Sequence, residues 1–177
     1  MKNFRSIAVL HRPIDEMWSI MRDYMGSLID RLPDIERILE LERVSESDGQ
    51  TRLVNAWYIR QQIPPMLLDL LGTAELGWID RSVWEPRNRT CAWTVEPFVL
   101  QESVSCRGAT RFEQAIGGRG TRVTFEGVIE LELGALNLSR ILEGPVTRFL
   151  ESILTTVVPR NLRSILEAAA AFQVSPE

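Results

Sequence analysis

Apolar positions along the chain first alternate, then take a helical period, return to a long series of alternating runs, and end in a second helical period. Residues 3–11 carry Ile7, Ala8, Val9 and Leu10 and read as a short strand. Arg12-Pro13-Ile14-Asp15 stops it, with Pro13 suited to the first turn of a helix. Ile14, Met17, Trp18 and Met21 then fall on one helical stripe. A second short helix is expected over residues 28–38, broken near Leu32-Pro33 because proline disfavours helix at the residue before it.

Strand-like runs follow at 39–45, 51–61, 76–84, 90–95, 102–116 and 121–133. Ser47-Asp48-Gly49-Gln50, Glu85-Pro86-Arg87-Asn88-Arg89 and Gly117-Gly118-Arg119-Gly120 supply turns between pairs of them. The last run alternates most clearly, with Val123, Phe125, Gly127, Ile129, Leu131 and Leu133 on one face and Arg122, Thr124, Glu126, Val128, Glu130 and Glu132 on the other. That is the signature of an antiparallel sheet with one buried face. Leu142, Val146, Phe149, Leu150, Ile153, Leu154 and Val157 restore the helical period, and Leu162, Ile165, Leu166 and Ala169 continue it beyond Pro159, where a kink is expected. Such a helix would run roughly 45 Å, enough to cross a small sheet. The expected class is therefore α+β: a strand, two short helices, about six further antiparallel strands and one long C-terminal helix.

Composition narrows the picture. With 177 residues, 45% of them hydrophobic, the chain is expected to form a single domain over residues 1–177 whose core needs neither disulfide nor metal. Basic residues number 20 against 24 acidic, a net charge of −4, which speaks against a nucleic-acid partner. All the basic residues but Lys2 are arginine, a bias of composition rather than a site. Cys91 and Cys106 belong to no Cys-x-x-Cys motif and are expected to be reduced thiols. No run approaches the roughly 20 apolar residues of a membrane span, and the N-terminus has no apolar signal region, so a cytoplasmic location is expected. The lone His11, two separated cysteines and scattered carboxylates offer no metal-ligand spacing, and no cofactor is expected. The glycines at 117, 118 and 120 lack the Lys-Ser/Thr of a phosphate-binding loop.

Several short motifs sit where one superfamily places its own. Pro13 followed by Ile14-Asp15-Glu16-Met17-Trp18 is similar to the Pro-x-x-x-Val-Trp start of the first helix in START-like (SRPBCC) proteins. Asp23-Tyr24, Leu32-Pro33-Asp34-Ile35 and Gly118-Arg119-Gly120-Thr121-Arg122-Val123 resemble further signatures of that superfamily, which includes polyketide cyclases, plant pathogenesis-related allergens and lipid-transfer domains. The resemblance spans nearly the whole chain. It implies a helix-grip fold, in which a curved antiparallel sheet of six to seven strands wraps around the C-terminal helix and leaves a cavity for a hydrophobic ligand. It names no reaction.

The candidate site follows from strand phase. Trp57, Trp78, Trp84 and Trp93 lie on the middle strands, and inward phases would make them an aromatic wall, with Asn55, Phe125, Phe149 and Ile153 adding to the lining. The same tryptophans could equally fill a core. Asp80 shares the phase of Trp78 and Trp84; buried there, its carboxylate needs Arg111 or Arg81 as a partner, or a raised pKa. Asp80, Tyr58 and Arg111 are the catalytic candidates if the protein is an enzyme. Asn55 and Tyr58 lie on opposite faces of one strand, so at most one can meet the cavity. Between strands, Ile63-Pro64-Pro65 opens an apolar stretch closed by Gly72, in which Met66, Leu67, Leu70 and Leu71 could form a lid, pack as a core helix, or touch a membrane transiently or a partner protein. The leading expectation is a binder of a hydrophobic small molecule. A cyclase- or dehydratase-like enzyme and a protein-interaction module with a filled core are the alternatives. Oligomeric state is not legible.

Overall fold

The computed structural model describes residues 1–60, 75–99, 101–132, 144–145, 148 and 158–173. Strand β1 (Lys2–Leu10) leads into helix α1 (Ile14–Asp23) and a 3₁₀ segment, Met25–Arg31. Six more strands follow: β2 (Ile35–Ser45), β3 (Thr51–Ile59), β4 (Leu76–Glu85), β5 (Thr90–Pro97), β6 (Val104–Ala115) and β7 (Gly120–Leu131). Helix α2 (Val158–Ala171) ends the described chain. All strand neighbours are antiparallel, and the order β1-β7-β6-β5-β4-β3-β2 joins β1 to the far end of a meander. Among the described residues no helix is long and apolar enough to cross a membrane.

Each turn forms where its chemistry requires. Between β6 and β7, Gly117 and Gly118 take φ of 61° and 85°, left-handed values that a side chain would strain. Leu32, ahead of Pro33, is extended and ends the 3₁₀ segment. The expected helix over residues 28–38 is therefore shorter than its pattern suggested. Ile35–Ile38 instead begin β2, where Ile38 pairs with Trp57, because strand partners outweigh a weak local helical pattern.

The core lies on the inner face of the sheet. Met17, Trp18, Ile20 and Met21 of α1 are all buried against it. On β7, Val123 and Phe125 are buried and Arg122 exposed, as the alternation predicts, whereas Thr124 of the opposite phase is buried as well. On α2, Asn161, Ile165, Leu166, Ala168 and Ala169 are the buried positions among the described side chains. Arg12 ties β1 to α2 by donating from Nε to the Ala170 carbonyl at 3.0 Å, while the Thr121 hydroxyl donates to the Arg12 carbonyl at 2.7 Å. Arg160 of α2 pairs with Asp34, just before β2. Residues 142–157 of the expected long helix are, but for a few positions, outside the described residues, and the expected kink at Pro159 falls at their edge.

Candidate ligand cavity

Strand register sets the inner surface. Trp57 opposes Trp78, Asn55 opposes Asp80, and Leu53 opposes Ser82 across β3 and β4. Across β4 and β5, Asp80 opposes Val95 and Ser82 opposes Trp93. Because one phase of a strand shares one face, Trp57, Trp78, Asp80, Trp84 and Trp93 all come to the same side. They line a cavity of about 270 Å³ between the sheet and α2. Phe125 and Ile129 of β7 continue the wall, and Met21, Leu162 and Ile165 close it from the helices.

The tryptophans are held in different ways. Trp57 and Trp78 stack at 5.6 Å and 13°. Trp93 stacks on Phe4 at 6.1 Å and lies over two glycines: a Cβ added at Gly108 would come within 2.5 Å of its ring, and one at Gly127 within 2.8 Å. Those two missing side chains are what let the indole lie flat on the sheet. Its Nε1 donates to the Thr110 hydroxyl at 3.1 Å, and Trp84 Nε1 donates to the Ser82 hydroxyl at 3.1 Å. Trp57 Nε1 is buried and has no acceptor among the described residues. Trp84 also packs edge-on against Trp18 at 5.1 Å, marking the border between cavity and filled core.

Asp80 is the carboxylate of this wall. The surface it retains faces the cavity rather than bulk water, and that desolvation pushes its pKa up to about 7, against the opposing hydrogen bond donated by the Asn55 amide. Burial and the nearby Asp80 charge push the Cys91 thiol well above its usual range. Burial alone raises Cys106 to about 11. Both cysteines are free thiols.

The expected arginine partners of Asp80 are elsewhere. Arg111 pairs with Glu126 at 2.8 Å and Arg81 with Glu96 at 3.1 Å, both on the outer face, since each occupies the opposite strand phase from Asp80. Tyr58 also faces outward, with the Arg37 guanidinium 3.7 Å over its ring and Phe98 at 5.0 Å. Strand alternation thus removes Tyr58 and Arg111 from the cavity and leaves Asp80 with Asn55. His11, Glu102 and Glu113 are exposed. Met66, Leu67, Leu70, Leu71, Phe149 and Ile153 lie outside the described residues. Phe4, Met25, Thr110 and Asn161 were not foreseen in the lining. For Phe4 a signal existed: it shares a strand phase with Ala8 and Leu10, which pack on the core.

Seven antiparallel strands closed over a C-terminal helix, with a cavity between, match known structures along nearly the full chain. The fold is the helix-grip fold. TTHA0849 from Thermus thermophilus superposes with a TM-score of 0.61 at 18% identity, covering 96% of this chain and 98% of that one. The Zhui aromatase/cyclase from Streptomyces sp. R1128 gives 0.62 at 16% identity, covering 96% and 91%. Ara h 8.0201 gives 0.57 at 14% identity, covering 96% and 95%. No family model matches the chain, and no curated protein does. The described lining of this cavity is marked by its tryptophan wall and by one buried carboxyl, Asp80, whose hydrogen-bond partner is the neutral Asn55 rather than a cation.

Proposed function

We propose that the protein binds a hydrophobic small molecule, a lipid or a polyketide-like ring compound, between its sheet and C-terminal helix. The observation that carries this reading is the cavity itself. Its volume of about 270 Å³ lies just below the roughly 300–1,000 Å³ typical of ligand sites, room for a small compound. Trp57, Trp78, Trp84, Trp93 and Phe125 would supply flat apolar contact, and burial at near 25 cal/mol per Å² would provide most of the affinity before association costs. A filled-core interaction module has no use for such a space. The fold neighbour named as an aromatase/cyclase suits a ring compound.

A second reading, a cyclase- or dehydratase-like enzyme, is favoured by one feature. The Asp80 carboxyl, with its pKa raised to about 7, is poised to exchange a proton at neutral pH. Native mass spectrometry of the purified protein, followed by solvent extraction, tests binding. A co-purifying apolar compound that is released on denaturation and quenches tryptophan emission when returned supports the binder. A clean apo mass with no tryptophan response to a panel of apolar ligands would contradict it. Turnover of the extracted compound, lost in Asp80→Asn, would favour the enzyme.

A further inference from the structure

The wall of the cavity combines a single acid with several indoles, and strand register puts the acid among the rings. Trp78 lies two residues from Asp80 on β4, and Trp57 and Trp93 take diagonal positions beside it on β3 and β5. Diagonal neighbours on a sheet are within reach of long aromatic side chains. Trp93 rests one face on Gly108 and Gly127, which leaves its other face to the cavity. Indole faces carry the negative end of the ring quadrupole and attract cations. Asn55 donates its amide to the Asp80 carboxyl, a contact that favours the ionised form.

Positive charge is kept off this surface. The arginines of β3 to β6 are Arg52, Arg81, Arg107 and Arg111, all on the outer strand phase and each paired with a glutamate. On β2, Arg43 shares the inward phase of Leu53 but is held by Glu40 at 2.7 Å and Asp23 of α1 at 2.9 Å. Lys2, opposite Ile129 at the start of β1, is exposed. On α2, Arg160 and Arg163 pair at the surface with Asp34 and Glu167. The helical segments bring Met21, Met25, Asn161, Leu162 and Ile165 to the lining, none of them charged. The remaining titratable groups there, Cys91 and Cys106, are thiols that burial keeps neutral. A desolvated carboxylate whose partner is a neutral amide is costly, and a cation supplied by a ligand offsets that cost.

We infer that the cavity selects a compact aromatic amine, carried as its ammonium cation, whose N–H groups meet the Asp80 carboxylate while its charge lies over the surrounding indole faces. This rests on the reading of the cavity as a hydrophobic-ligand site and adds the charge that its ligand carries. The volume of about 270 Å³ suits a ring system of one or two rings. The same indole faces and the same acid repel a ligand carboxylate.

Equilibrium dialysis of the full chain with three probes on one bicyclic frame tests this: indane, 2-aminoindane and indane-2-carboxylic acid. At about pH 8 the amine binds about tenfold more tightly than indane, and the acid binds more weakly than either. Burial raises the Asp80 pKa to about 7, so the amine's affinity falls about tenfold by about pH 6 as the carboxyl takes up a proton, while indane is unaffected. Asp80→Asn removes the amine's advantage and its pH dependence but keeps indane binding, which also reports that the variant is folded. Trp78→Leu, which keeps an apolar side chain, lowers the amine's affinity more than indane's. Equal binding of amine and indane at both pH values overturns the inference and leaves the hydrophobic site standing, and so does an amine preference that survives Asp80→Asn. Tighter binding of the acid than of the amine overturns it in favour of an anion site. Failure of all three probes to bind overturns the hydrophobic site and the inference together.

Discussion

Under α1 the inner face of the sheet is filled, whereas toward the other ends of the same strands it is hollow, although both regions obey one alternation. In the filled region Trp18 meets Trp84 and Phe112 edge-on at 5.1 and 5.4 Å, and Met17 and Val123 are fully buried. In the hollow region Trp57 and Trp78 stack against each other, and Trp93 lies flat over glycines, so the indoles sheathe the wall without filling the space. The difference lies in what faces each strand. Large α1 side chains interdigitate with the first region, while α2 brings Asn161, Leu162 and Ile165 to the rim of the second. A tryptophan on an inward strand phase thus does not declare itself core or wall; its partner on the opposite layer decides.

Substitutions can break this contrast, and the largest effect is expected in the filled region. Trp18→Ala should cost about 3–5 kcal/mol in urea denaturation, because the void cannot collapse between two other rings. Trp78→Ala should cost less than half as much and instead weaken ligand binding, since one side of that ring already faces empty space.

Asp80→Asn should act in the opposite direction. The folded pKa of Asp80 is raised above the unfolded value, so wild-type stability is complete below the unfolded pKa near 3.8 and is lost as pH climbs toward about 7. The variant has no such loss. Its advantage should open through that window and level off above it at no more than about 4 kcal/mol, from about 1.4 kcal/mol per pKa unit. Unfolding free energies measured across pH check this, and parallel curves would show that the carboxyl is solvated.

Gly108→Ala sharpens the contrast differently, because its Cβ would meet the Trp93 ring at 2.5 Å and the Glu126 carbonyl at 2.2 Å. A loss of about 1–3 kcal/mol is expected, with a shifted tryptophan emission from the displaced indole. The smallest effect belongs to the surface. Arg163 pairs with Glu167 at 2.8 Å in full view of solvent, and Arg163→Ala should change thermal stability by less than about 0.5 kcal/mol.

Much of this arrangement was legible in the sequence, and the gaps have physical causes. Strand alternation placed Trp57 with Leu53 and Ile59, and Trp78 with Asp80 and Trp84, on common faces, as the structure has them. Which face looks inward depends on neighbouring strands, and this is why Tyr58 and Arg111 stayed candidates until the register excluded them. Local pattern misjudged residues 35–38 because their strand pairing with β3 is a long-range contact. The seat of Trp93 was invisible for a similar reason: Gly108 and Gly127 are neighbours only across the sheet. The cavity is a volume left over by many side chains, and no single run of residues encodes it.

One pair of variants tests the hollow-and-filled account most directly. Val95 lines the cavity opposite Asp80, and Val123 is fully buried in the filled region. Phenylalanine would be introduced at each position, and thermal melting and binding of an apolar probe such as fluorene would be measured. Val95→Phe should fold with unchanged or raised stability and lose the probe, because its ring occupies the ligand's space. Val123→Phe should lose about 1–3 kcal/mol or more from overpacking. Wild-type probe binding by a folded Val95→Phe protein, or equal destabilisation of the two variants, would contradict the account.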